Sequence, residues 1–310
     1  MPSLEALLSG GRYTLNHTHG YTRTLLNMLG LGLDDLPVAA LSRLGATGKQ
    51  DGQWWMKTDP VHFITNLTDV VLDDPKTLQL SRKESEQLLA TVQKHTQQDG
   101  WHCEMLSPQE WVIRLDHPRT LIVEPTDSVI GRNVLDHLPR GEEGGYWRQC
   151  MNEIQMLLHD HPINVVREEN GLAEANGLWL WGGGQISLQN LAHWKHFFCD
   201  DALSVGLAKN NGIPQSSGAS YSNSGWQDCG EGNILWAVQQ PSEATWADYL
   251  LELDRSFFQS VLTQLQGGQL HSVVLYPAPG SRYDVCRARP GLFWKRKKPL
   301  NFYIKQQDIV

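Results

Sequence analysis

The chain contains no CxxC pair, no long apolar run and little basic charge, and each absence removes a class of function. Its five cysteines (Cys103, Cys150, Cys199, Cys229, Cys286) are scattered and odd in number. That pattern excludes a disulfide framework or a zinc ribbon and fits reduced thiols, so a cytoplasmic location is expected. No apolar stretch approaches the length needed to span a bilayer. The first residues, MPSLEALLSGGRYTL, lack a basic segment followed by a continuous apolar run, so no signal peptide is expected. With 26 Lys and Arg against 34 Asp and Glu the net charge is −8, which argues against a polyanion binder, because nucleic-acid affinity rests largely on phosphate neutralisation. The one basic cluster, Lys295, Arg296, Lys297 and Lys298, reads as a solvated end of the chain or a contact for an acidic partner. Repeats and low-complexity tracts are absent.

What is present is an ordinary globular composition, 40% hydrophobic and 19% charged over 310 residues, enough for one large domain or two smaller ones. Residues 1–57 read as irregular and helical, with helical spacing over Tyr21–Leu29 and Leu36–Leu44. Residues 58–125 read as a small α+β subdomain. Strands are expected at Trp54–Met56 and Val61–Leu67 around an Asp59–Pro60 turn, then at Trp101–Met105, Trp111–Leu115 and Thr120–Val123. A helix over Ser81–Lys94 is marked by the capping-box spacing of Ser81 and Glu84. Residues 126–310 read as an α/β domain: a helix over Tyr146–His159, a polar crossover, a strand over Leu178–Trp181, and a strand–helix–strand rhythm to Tyr276. That alternation predicts a mainly parallel sheet flanked by helices.

Three kinds of chemistry are suggested by residue type. His17 and His19, and His159 and His161, have His-x-His spacing, but no carboxylate cluster accompanies them, so no metal site is expected. Serines in the 216–224 loop lie in no G-x-S-x-G elbow, and Cys199 precedes Asp200 and Asp201, whose charges would raise a thiol pKa; no catalytic residue is expected. The third is anion binding. Arg167 follows a His161-Pro162-Ile163-Asn164 turn, and Gly182, Gly183 and Gly184 end a strand. Backbone N–H groups at a strand end with a nearby arginine suit phosphate or carboxylate. Against this stands a bland alternative, in which Arg167 pairs with Glu168 or Glu174 and the glycines only turn the chain at a tight packing corner.

The blocks Asn152–Glu153, His161-Pro162-Ile163-Asn164, Arg167, Ala175-Asn176 and Leu180-Trp181-Gly182-Gly183-Gly184 resemble those of the archaeal-type cofactor-independent phosphoglycerate mutases. Asp59-Pro60-Val61-His62-Phe63 looks like the strand that opens that family's inserted domain, and Val205-Gly206-Leu207-Ala208 like a later helix. The Asp-Pro-Val-His, Asn-Glu-Ile-Gln-Met-Leu-Leu and Trp-Leu-Trp-Gly-Gly-Gly blocks are similar to those of the RpfE-type regulatory proteins of proteobacteria. The resemblance implies an alkaline-phosphatase-like remnant and, for an active mutase, two metal ions (Mn or Mg) and a phosphoryl-carrying serine. The chain departs from that pattern: an Asp-Gly-Met-Ala-Asp-like start, a late Gly-Asp-His and a late His-x-x-x-Asp are missing, and His271 is the last histidine. The expectation is therefore a non-catalytic protein without cofactor, regulatory or sensing a small phosphorylated or carboxylate metabolite through His161, Asn164, Arg167, Asn176 and Gly182–Gly184. The alternatives are a metal-dependent phosphoglycerate mutase or phosphatase, and a protein-interaction module using Phe293-Trp294-Lys295-Arg296. No nucleic-acid or membrane partner is expected.

Overall fold

The structure, a computed structural model, describes residues 1–15, 18–33, 36–117, 119–219, 229–238, 246–277, 280–287 and 298–304. In chain order the strands are β1 (Arg12–Leu15), β2 (Trp54–Val61), β3 (Phe63–Thr65), β4 (Val70–Leu72), β5 (Trp101–Ser107), β6 (Glu110–Leu115), β7 (Gly177–Gln185), β8 (Trp194–Phe198), β9 (Gln215–Ser216), β10 (Asn233–Trp236), β11 (Ser272–Leu275) and β12 (Ser281–Cys286). The helices are α1 (Pro2–Gly10), α2 (Tyr21–Leu29), α3 (Val38–Thr47), α4 (Pro75–Leu78), α5 (Arg82–Thr96), α6 (Thr126–Val129), α7 (Gly144–His159), α8 (Pro162–Glu169), α9 (Ala202–Asn210), α10 (Trp246–Leu253), α11 (Gln259–Gly267) and α12 (Leu300–Ile304). None of the described helices is long and apolar enough to cross a membrane.

The chain forms two compact units. Residues 20–191 and 201–213 make one, and residues 1–19, 192–200 and 214–310 make the other. In the larger unit the sheet order is β5-β6-β2-β7, and every pairing in it is antiparallel. The subdomain expected over 58–125 lies within this unit, where its strands share a sheet with β7 from much later in the chain. One face of the sheet buries Trp101, Trp111 and Trp147, and Trp111 donates its indole N–H to Ser85 on α5 at 2.7 Å. The Ser81–Glu84 capping box that starts α5 is present in both directions. Helix α3 packs on α9 through Gly45 and Gly206. A Cβ on either would fall 1.8 Å from a backbone oxygen of the other helix, so only glycine permits that approach.

The smaller unit holds a three-stranded antiparallel sheet, β1-β12-β11, and a small parallel one, β10-β8-β9. Its core joins Leu4, Leu7 and Leu8 of α1 to Tyr249, Leu253, Phe258, Val261, Leu265, Tyr283 and Val285. The buried Asp254, at the start of a π-helical turn between α10 and α11, accepts the backbone N–H groups of Ser3 and Leu4 at 3.1 and 2.7 Å and so anchors the first turn of α1.

Several expectations need correction. The fold is mixed α/β, but the four-stranded sheet, the three-stranded β1-β12-β11 sheet and the β3-β4 pair are antiparallel, and among the described strands only β10-β8-β9 is parallel. Asp59–Pro60 is not a turn, because β2 runs through it. Strand β6 pairs only with Trp55–Lys57, so beyond Lys57 one edge of β2 carries no ladder and a residue without N–H is tolerated. Thr120–Val123 is no strand; Ile122 makes only an isolated bridge to Arg140. Strands β1 and β12 were not foreseen.

Candidate functional site

Pro162 ends α7, as its steric demand on the preceding residue requires. It also starts α8, because at the first helical position its missing N–H is not needed. The expected polar crossover is thus a second helix, and it carries His161, Asn164 and Arg167 at its N-cap and on its buried side.

Each of these side chains has protein partners. His161 caps α8: its Nδ1 accepts the N–H of Ile163 at 3.2 Å, and its Nε2 lies 3.0 Å from Thr91 Oγ1 on α5. Asn164, 1% exposed, donates to the carbonyls of Leu158 and Ala175 at 2.8 and 3.0 Å and accepts the Ala175 N–H at 3.0 Å. It therefore ties the end of α7 to the segment leading into β7. Arg167, 2% exposed, donates Nε–H to the Ala173 carbonyl at 2.7 Å, Nη1–H to Glu84 Oε1 at 2.8 Å and Nη2–H to the Leu78 carbonyl. The other oxygen of Glu84 accepts the Ser81 N–H of the capping box at 2.8 Å. One carboxylate thus starts α5 and pairs with α8. Burial pushes Glu84 up, but its bonds to Ser81 and the Arg167 guanidinium outweigh this and hold it below the usual carboxylate range. The expected partners of Arg167, Glu168 and Glu174, are not the ones it uses.

Asn176 completes the clasp by treating β3 as a neighbouring strand would. Its Oδ1 accepts the Phe63 N–H at 2.7 Å, and its Nδ2 donates to the Phe63 carbonyl at 3.0 Å. The glycines lie at the other end of β7. Gly177 pairs with Val61 and Gln185 with Trp54, so roughly 20–25 Å of extended strand separates Asn176 from Gly183. The seven residues are therefore not one cluster. Strand β7 continues through its glycines, and each lies against a bulky neighbour. A Cβ on Gly182 would fall 2.9 Å from Val38 Cβ, one on Gly183 2.5 Å from the Trp54 ring, and one on Gly184 2.9 Å from Pro37. Gly182 also has φ +60°, a left-handed conformation that favours glycine. They form the packing corner on which α3 begins.

A second polar centre, which the sequence reading missed, lies on β2 of the same unit. Lys57, 3% exposed, reaches Glu110 Oε1 at 2.8 Å and Asp59 Oδ1 at 3.6 Å. Asp59 Oδ2 accepts Trp181 Nε1–H and Thr126 Oγ1–H, both at 2.7 Å, while Oδ1 has no hydrogen-bond donor. Burial acts to lower Lys57, but the carboxylates of Asp59 and Glu110 outweigh it and raise the ammonium. Burial raises Asp59 despite Lys57, whereas the Lys57 charge lowers Glu110. The signal was available: Lys57 and Asp59, two apart on a strand, point to the same face.

Among the described residues no group of three or more His, Cys, Asp or Glu side chains converges to hold a metal. The two-metal centre implied by the mutase resemblance therefore finds no ligand set there. His17, Phe293, Trp294, Lys295 and Arg296 lie outside the described residues. The surface clefts along α10 are lined only by residues of the smaller unit, among them Asp248, Glu252, Asp254 and Arg255.

No protein-family model matches the chain. It is 36% identical over 73 residues to a 2,3-bisphosphoglycerate-independent phosphoglycerate mutase of Methanothrix thermoacetophila, covering 24% of this chain and 19% of that protein. It is 33% identical over 94 residues to a probable enzyme of that name from Geobacter sulfurreducens, covering 30% and 24%. Among solved structures, the cofactor-independent phosphoglycerate mutase from Thermoplasma acidophilum aligns with TM-score 0.45 at 12% identity, over 96% of this chain and 85% of that one. The PH0037 protein from Pyrococcus horikoshii aligns with TM-score 0.40 at 14% identity, over 70% and 54%. The chain thus matches about a fifth to a quarter of the length of these curated relatives, and its similarity to cofactor-independent phosphoglycerate mutases is a distant one.

Proposed function

We propose that this is a non-catalytic protein of phosphoglycerate-mutase-like sequence with a regulatory role, in which the block from Met151 to Gly184 is a structural clasp. The observation that carries the reading is Arg167. Each of its guanidinium nitrogens already donates to a protein partner, Ala173, Glu84 or Leu78, and with the side chain only 2% exposed a phosphate or carboxylate from solvent has little access to it. The expectation of an anion held by Arg167 with the glycine backbone is replaced accordingly. The regulatory part of the reading draws on the resemblance to the RpfE-type proteins. The proposed setting is cytoplasmic, on the scattered and odd-numbered cysteines of the sequence.

The test is turnover of 3-phosphoglycerate by the purified chain with Mn²⁺ or Mg²⁺. No product above a protein-free blank is expected. Metal-dependent turnover abolished by a chelator overturns the reading in favour of the enzyme alternative.

A further inference from the structure

The hydrogen bonds around His161 leave one arrangement of protons. Thr91 Oγ1 has a single proton, and it is given to the Gln87 carbonyl at 3.2 Å. At 3.0 Å from His161 Nε2 the hydroxyl oxygen must therefore accept, so Nε2 carries a proton. Nδ1 accepts the Ile163 N–H at 3.2 Å and must present its lone pair. Both bonds together require the neutral Nε2–H ring. A second proton on Nδ1 would point at the Ile163 N–H, and the cation would sit at the positive end of the α8 dipole.

We propose that His161 is a proton-sensitive latch on α8, closed when the ring is neutral and released when it is protonated. What the latch holds follows from the clasp. Helix α8 carries Asn164, which ties α7 to the entry of β7, and Arg167, which ties α8 to Glu84 and Leu78. Uncapping its first turn loosens that joint. The charged groups on the packed elements are Arg82, Lys83, Glu84, Glu86, Lys94 and His95 on α5, Arg148, Glu153 and His159 on α7, Asp160 in the joint, and Arg167, Glu168 and Glu169 on α8 itself. His95 lies 3.9 Å from Glu153. Burial alone lowers His161 from its ordinary value of 6.5. A histidine lowered on folding contributes stability that is complete above 6.5 and is lost as pH falls through its folded value. The latch gives the proposed regulatory role a signal, the proton, and stands without that role.

The test compares the whole chain with His161→Asn, which keeps an N-cap acceptor that does not titrate. Urea unfolding is followed from pH 8 to pH 5. The wild-type unfolding constant is expected to rise relative to the variant's as pH falls below about 6.5, by at most tenfold per pH unit, the limit for one proton. Parallel pH profiles would overturn the proposal. Hydrogen exchange of the wild type alone gives a second readout, should the variant fold poorly. After correction for intrinsic rates, Ile163 amide protection is expected to fall between pH 7.5 and pH 5.5, and unchanged protection rejects the latch.

Discussion

Two of the cations buried in the larger unit, Arg167 and Lys57, are surrounded differently. Arg167 has two carbonyls and one carboxylate, with each guanidinium nitrogen matched to an acceptor. Lys57 sits between two carboxylates, Glu110 and Asp59, and one oxygen of Asp59 remains without a donor. The difference is one of adaptability. A carboxylate that loses its cation can take up a proton and become neutral, whereas a carbonyl that loses its donor has no such escape. The clasp around Arg167 is therefore the less forgiving of the two, although it holds fewer charges.

The comparison breaks most sharply at Arg167→Ala. Removing the guanidinium orphans the Leu78 and Ala173 carbonyls and leaves Glu84 unpaired, and a loss of about 3–5 kcal/mol is expected in denaturant unfolding. Because the orphaned carbonyls do not titrate, the deficit persists at pH 5. Lys57→Met is expected to cost about 3 kcal/mol at pH 7, at the low end for a broken buried pair. Here the deficit shrinks as pH falls. Without Lys57 the pKa values of Asp59 and Glu110 rise, so the variant gains stability relative to wild type as their protons bind. Equal pH dependence in the two variants would erase the distinction. Gly182→Ala is the mildest of the three, about 2 kcal/mol. It forces alanine to φ +60° with its Cβ 2.9 Å from Val38, without disturbing either cation.

How much of this was legible depended on distance along the chain. The Ser81–Glu84 capping box is a three-residue spacing, and it was read correctly because its partners are local. The second duty of Glu84, pairing with Arg167 across 83 positions, leaves no local trace. Pro162 was read as a stop and is also a start, since the steric rule that ends α7 says nothing about the next residue's helix. The three glycines announced a close approach or a turn, but Val38, Pro37 and Trp54, which make that approach, come from a distant segment. Strand direction failed for the same reason. Helix–strand alternation suggested parallel pairing, while β2 draws β7 from far along the chain and lays it antiparallel.

Arg167 is proposed to serve the fold and not a ligand. The most direct measurement is the urea midpoint of wild type and Arg167→Ala, each with and without saturating phosphate or 3-phosphoglycerate, since a ligand specific to the native state raises its stability. A large loss is expected in the variant, with no anion-dependent shift in either protein. A variant as stable as wild type, with an anion shift present in wild type and absent from the variant, would contradict it.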